Sequence, residues 1–125
     1  MFGSRYQQDF IMRQIELITK FIAESVFKKE SPEYDIIKKA DLSATEDLHN
    51  KLVRMIEEDK INEAENLLFD MMDTDNKEYL EVALDFYSRL TKLDDIKLEK
   101  NDFTKEEIAQ GVLDISSKFG MDVNV

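Results

Sequence analysis

Apolar residues recur along this chain at helical spacing, in five stretches separated by polar breaks. In the first, Ile11, Ile15, Ile18, Ile22 and Val26 follow at 4-3-4-4 spacing, so they share one face of a helix. Phe10, Leu17 and Phe21 widen that face on one side, while Asp9, Arg13, Glu16, Lys20 and Glu24 lie opposite. The pattern predicts one long helix over residues 5–28. Asp9–Arg13 and Glu16–Lys20 stand at i, i+4 in the favourable order, each contributing a few tenths of a kcal/mol, roughly 0.2–0.5.

Periodicity is weakest over residues 29–43. Ser31-Pro32 breaks the helix there, because proline disfavours helical geometry at the residue before it. This stretch is expected to be a connector, pinned by Tyr34, Ile36 and Ile37. Ser43 and Glu46 then stand as a capping box for a second helix from about residue 44, with Leu48, Leu52, Met55 and Ile56 inward. Glu58-Asp59-Lys60 is a polar break. A third helix from Ile61 to about Met72 turns Ala64, Leu67, Leu68 and Met71 inward, completing a hairpin with the second.

Asp73-Thr74-Asp75-Asn76 forms a turn, with Asp75 and Glu78 expected to cap a fourth helix over about 76–93. Its apolar arc, from Tyr79 and Leu80 through Phe86 and Tyr87 to Leu90 and Leu93, covers about half the circumference, which predicts the central helix. Residues 94–103 are ambiguous, with room for one helical turn around Ile96 and Leu98. The last helix has the clearest start. Thr104 is the N-cap, Glu107 its partner, and Phe103 and Ile108 a hydrophobic staple. Lys118 suits the helix end and Gly120 a left-handed cap. The predicted organisation is one all-α domain: a compact bundle of about five helices with a long N-terminal helix (5–28), a connector (29–43), a hairpin body (44–119) and a tail (120–125).

Composition agrees. Three glycines and one proline are too few for the turns of an antiparallel sheet. The absence of cysteine removes disulfides, thiolate metal sites and a cysteine nucleophile. The net charge of −11 disfavours nucleic acid and anionic membrane as partners. Charges at Arg13, Glu16, Lys20 and Glu24 argue against both a signal peptide and a membrane span in the N-terminal segment. A cytoplasmic setting is expected.

Catalytic and metal patterns fail one by one. A calcium loop begun at Asp73 would place Lys77 at position 5, Glu78 where glycine is needed and Leu84 at position 12. Glu46 and His49 make one Glu-x-x-His, but a di-iron bundle needs two and His49 is the only histidine. That histidine is expected at the surface or its boundary. No serine sits in a nucleophile elbow, and glycines at 3, 111 and 120 cannot form a phosphate loop. No enzyme activity, cofactor or metal is expected.

The second and third helices resemble one tetratricopeptide-type hairpin through Leu48, Leu52, Met55, Ala64 and Leu68. A 34-residue shift carries the match to Val82, Phe86, Arg89 and Leu98, then loses it at Asp102. The chain also resembles a family of small bacterial proteins, mostly Gram-positive, classed as a domain of unknown function. The segments that carry the likeness are 9–16 (DFIMRQIE), 61–69 (INEAENLLF), 79–87 (YLEVALDFY) and 102–108 (DFTKEEI) with Gly111. That resemblance implies an all-helical cytoplasmic protein and supplies no activity. The expected function is protein–protein interaction or scaffolding. Phe10, Ile11, Leu17 and Phe21 are the candidate interface, and the partner is a protein, a second copy of the chain included. The alternatives are a carboxylate-based ligand- or metal-binding protein or enzyme, and an acidic regulator that mimics nucleic-acid charge.

Overall fold

The computed structural model describes residues 5–24 and 44–121, and all regular structure among them is helical. Six helices follow in order: α1 (Arg5–Ile22), α2 (Ala44–Glu57), α3 (Ile61–Met71), α4 (Lys77–Thr91), α5 (Asp95–Lys100) and α6 (Lys105–Lys118). The expected connector, Ser43, the far end of the first helix and most of the tail lie outside the described residues.

Helix α4 sits at the centre, packed against α1, α2 and α6, while α1 also lies on α6 and α2 on α3. Every residue from Tyr79 to Ser88 is buried, so α4 is enclosed all the way round over that stretch. Half of its circumference is apolar and was expected inside. The other side brings Glu81, Asp85 and Ser88 inside as well. The core gathers Ile15, Ile18 and Ile22 of α1, Leu52 and Ile56 of α2, Leu68 of α3, and Ile108, Val112 and Ile115 of α6 around Leu84 and Phe86.

The helix ends explain the break positions. Thr104 and Glu107 form the expected reciprocal capping box at α6. At α4 the cap is Asn76 rather than Asp75: its side chain accepts from the Glu78 N–H at 2.9 Å. Asp75 is instead held in the preceding turn, its N–H donating to Asp73 at 3.0 Å. The sixth helix, beyond the five expected, is α5. Asp94 caps it by accepting from the Lys97 N–H at 2.8 Å, which stabilises a turn too short to show periodicity.

Helices α2, α5 and α6 all end in paired backward hydrogen bonds of the Schellman type. The left-handed residue is Asp59, Asp102 and Gly120, at φ 61°, 52° and 77° respectively. Aspartate tolerates this geometry better than most side chains, at some cost relative to glycine. At Asp59 the carboxylate recovers some of that cost by pairing with Lys97 at 2.6 Å and Lys100 at 3.0 Å.

The start of α3 is closed from a distance. Lys60 supplies no side-chain cap. Instead the buried Asn101 accepts from the Ile61 N–H at 3.2 Å and donates to Asp59 at 3.1 Å and to the Lys97 carbonyl at 2.9 Å. Its own carbonyl accepts from the Asn62 side chain at 2.8 Å. One asparagine therefore joins the α2–α3 turn to the end of α5.

Candidate interaction surface

The outer face of α1 carries the residues singled out from sequence. Ile15, Ile18 and Ile22 point into the core. Rotating away from them, Ile11 is half-buried against the core, and Phe10, Leu17 and Phe21 are 52%, 62% and 59% exposed. These three recur at intervals of seven and four, which aligns them in one stripe along the helix. Arg13, Glu16, Lys20 and Glu24 are exposed beside the stripe. Among the described residues Glu16 and Lys20 form no ion pair, so that expected i, i+4 pair is not made. The α1 amphipathic pattern thus has two apolar zones, one satisfied by the core and one left to solvent.

Two buried polar centres were not legible as such. His49 is 5% exposed, a buried rather than boundary histidine. Its Nε2 lies 2.9 Å from Asp85 Oδ2, and Arg89 donates its Nε–H to the same oxygen at 2.7 Å. Burial pushes the Asp85 carboxyl up, but the hydrogen bonds and charges of His49 and Arg89 outweigh it and hold the group below its ordinary value. Nearby, the buried Thr45 donates to Glu78 at 2.8 Å. The signal in the sequence was the 3-4-3 spacing of Glu78, Glu81, Asp85 and Ser88, masked by the stronger apolar arc of the same helix.

The second centre is Tyr87 of α4, fully buried and in contact with Glu65 of α3 and Gly111 of α6. Its hydroxyl donates to Glu65 at 2.5 Å. Burial raises the Glu65 carboxyl above its ordinary value, and the tyrosine hydrogen bond opposes the shift. Burial, reinforced by the Glu65 charge, also raises the phenol far above its own. The ring lies directly on Gly111 of α6, where a Cβ would stand 2.4 Å from Tyr87 Cε1, Cζ and Oη. Gly111 is required here as a flat seat for an aromatic ring.

Among the described residues no three histidine or acidic side chains are placed to hold a metal ion. Shallow depressions lie between α2 and α4, at Val53, Ile56, Arg89 and Leu93, and between α2 and α3, at Leu48, Lys51, Leu67 and Met71. Neither reaches His49. Among the described residues no helix is long and apolar enough to cross a membrane. No curated protein and no solved structure matches the chain. A family model does, over residues 5–120, and with nearly all of its helical body so matched the chain belongs to a family of unknown function (DUF6483).

Proposed function

We propose that the protein is an interaction or scaffold module that docks another protein through the outer face of α1. The observation that carries this is the aligned exposure of Phe10, Leu17 and Phe21 on a helix whose opposite side already fills the core. At about 200 Å² for such a side chain, the three leave roughly 300–350 Å² of apolar surface in water. A patch of that size on a monomer is often functional, and burying it stabilises a complex. In this reading α2 and α3, joined by the short turn at Glu58–Lys60, act as a tetratricopeptide-like hairpin that braces the body of a cytoplasmic protein.

The test is a double variant, Leu17→Glu with Phe21→Glu, used beside the native chain as bait in extracts of the source cell. Loss of a specific partner at an unchanged melting temperature is the expected result. Undiminished capture with a melting temperature lowered by many degrees would place those side chains in the folding core and end the proposal.

A further inference from the structure

The charges beside the α1 stripe identify a partner for it, on the premise that the stripe is a docking face. From N- to C-terminus the exposed charges read Arg13, Glu16, Lys20, Glu24, which is plus, minus, plus, minus. Such a series is complementary to itself only when reversed. Laid antiparallel, Arg13 faces the second copy's Glu24 and Glu16 faces the second copy's Lys20, and the two-fold axis repeats both pairs. Laid parallel and in register, each charge faces its own like. The same antiparallel register sets Leu17 against the second copy's Phe21, and Phe21 against its Leu17, with Phe10 at the outer end of the seam.

The net charge points to the same face. The whole chain carries −11, so two copies repel over most of their surface. Between Phe10 and Glu24 the charges sum to zero, two basic against two acidic. The α1 face is thus where a like chain approaches with little repulsion, and it is also where the exposed apolar side chains are aligned. We propose that α1 pairs antiparallel with α1 of a second copy, Leu17 and Phe21 interleaving and the four charges forming an intermolecular ladder. The apolar area per copy is less than half of the about 800 Å² per partner typical of a stable interface, so the pairing is weak and concentration-dependent.

The absence of cysteine makes the geometry directly testable. Sedimentation equilibrium over a wide concentration range should show the native chain approaching twice its monomer mass, while Leu17→Glu with Phe21→Glu remains at monomer mass with an unchanged circular dichroism spectrum. Arg13→Cys mixed with Glu24→Cys should then be joined by a short bis-maleimide, and neither variant should link to itself. In the antiparallel pair the two copies of position 13 are offset by about 16 Å along the axes, beyond such a reagent. Self-linking of Arg13→Cys overturns the antiparallel ladder. A native chain that stays monomeric at every concentration overturns the second copy as partner. If α1 variants of that monomer still lose another bound protein, the interaction reading stands without it.

Discussion

Replacing Gly111 by alanine should destabilise the protein, although helix propensity alone points the other way. In an exposed helix interior the change from glycine to alanine stabilises by about 1 kcal/mol. Here the new methyl would stand 2.4 Å from three atoms of the Tyr87 ring and hydroxyl, far inside van der Waals contact. The ring has little freedom to yield. It is fully buried, meets Phe86 edge-on at 5.1 Å between centroids, and is held by its hydrogen bond to Glu65. Overpacking of this kind costs about 1–3 kcal/mol. Dragging the hydroxyl off a half-buried carboxylate adds about 1.5–3 kcal/mol. After subtracting the propensity gain, the net loss is about 1.5–5 kcal/mol, and at about 3–6 °C per kcal/mol for a chain of this length the melting temperature should fall by about 5–30 °C. Urea unfolding followed by circular dichroism gives the free energy, and a double-mutant cycle with Tyr87→Leu isolates the clash. In the Tyr87→Leu background, Gly111→Ala should cost much less or turn favourable. A Gly111→Ala protein more stable than the native one would refute the packing argument.

Other substitutions separate the remaining features. Asp85→Asn should cost about 1–3 kcal/mol at neutral pH by weakening the bonds from His49 and Arg89. Because the folded carboxyl lies below its ordinary value of 3.8, its stabilisation is complete above that pH and is lost on acidification through the lower folded value; unfolding curves for the two proteins should converge there. Glu65 has the opposite sign: its folded value lies above 4.5, so ionising it opposes folding as pH rises, and Tyr87→Phe should enlarge that loss at neutral pH, visible as a steeper fall of stability between acid and neutral pH. Asn101→Ala should cost about 2 kcal/mol by stranding the buried Ile61 N–H, with the largest drop in hydrogen-exchange protection at the start of α3. Asp102→Gly should stabilise by about 0.5–1 kcal/mol in the same urea assay, since the left-handed position no longer opposes a Cβ.

The elements with strong local signals were legible in the chain itself. The 4-3-4 spacing of the α1 isoleucines, the Thr104–Glu107 box and the half-circumference arc of α4 each report physics contained within a few turns. The α4 cap moved by one residue because Asp73, Asp75 and Asn76 are all competent caps, and the turn geometry chooses between them. Helix α5 showed only as room for one turn around Ile96 and Leu98, because six residues are too short for a period to emerge. The sequence singled out the exposed stripe of α1 as extra apolar width, but width alone cannot say whether a neighbour covers it. What was not legible is long-range. His49 meets Asp85 across 36 positions, Asn101 reaches Ile61 across 40, and the reason for Gly111 is a ring on another helix. None of these leaves a local trace beyond an isolated residue of unusual type.

The Asn101 clasp bears on how the chain can be divided. In a solenoid each unit is nearly self-sufficient, and stability accumulates from neighbour to neighbour. Here the α2–α3 unit borrows its closure from a residue beyond α4, so the first turn of α3 is completed only once α5 has docked. Contact of that sequence separation slows folding and ties the start of α3 and the end of α5 into one transition. A fragment stopping after α4 would keep every residue of the hairpin and still lack the group that closes it. The hairpin looks like a removable repeat, yet the chain should unfold as a single cooperative block, and excising or transplanting that hairpin should yield a frayed peptide.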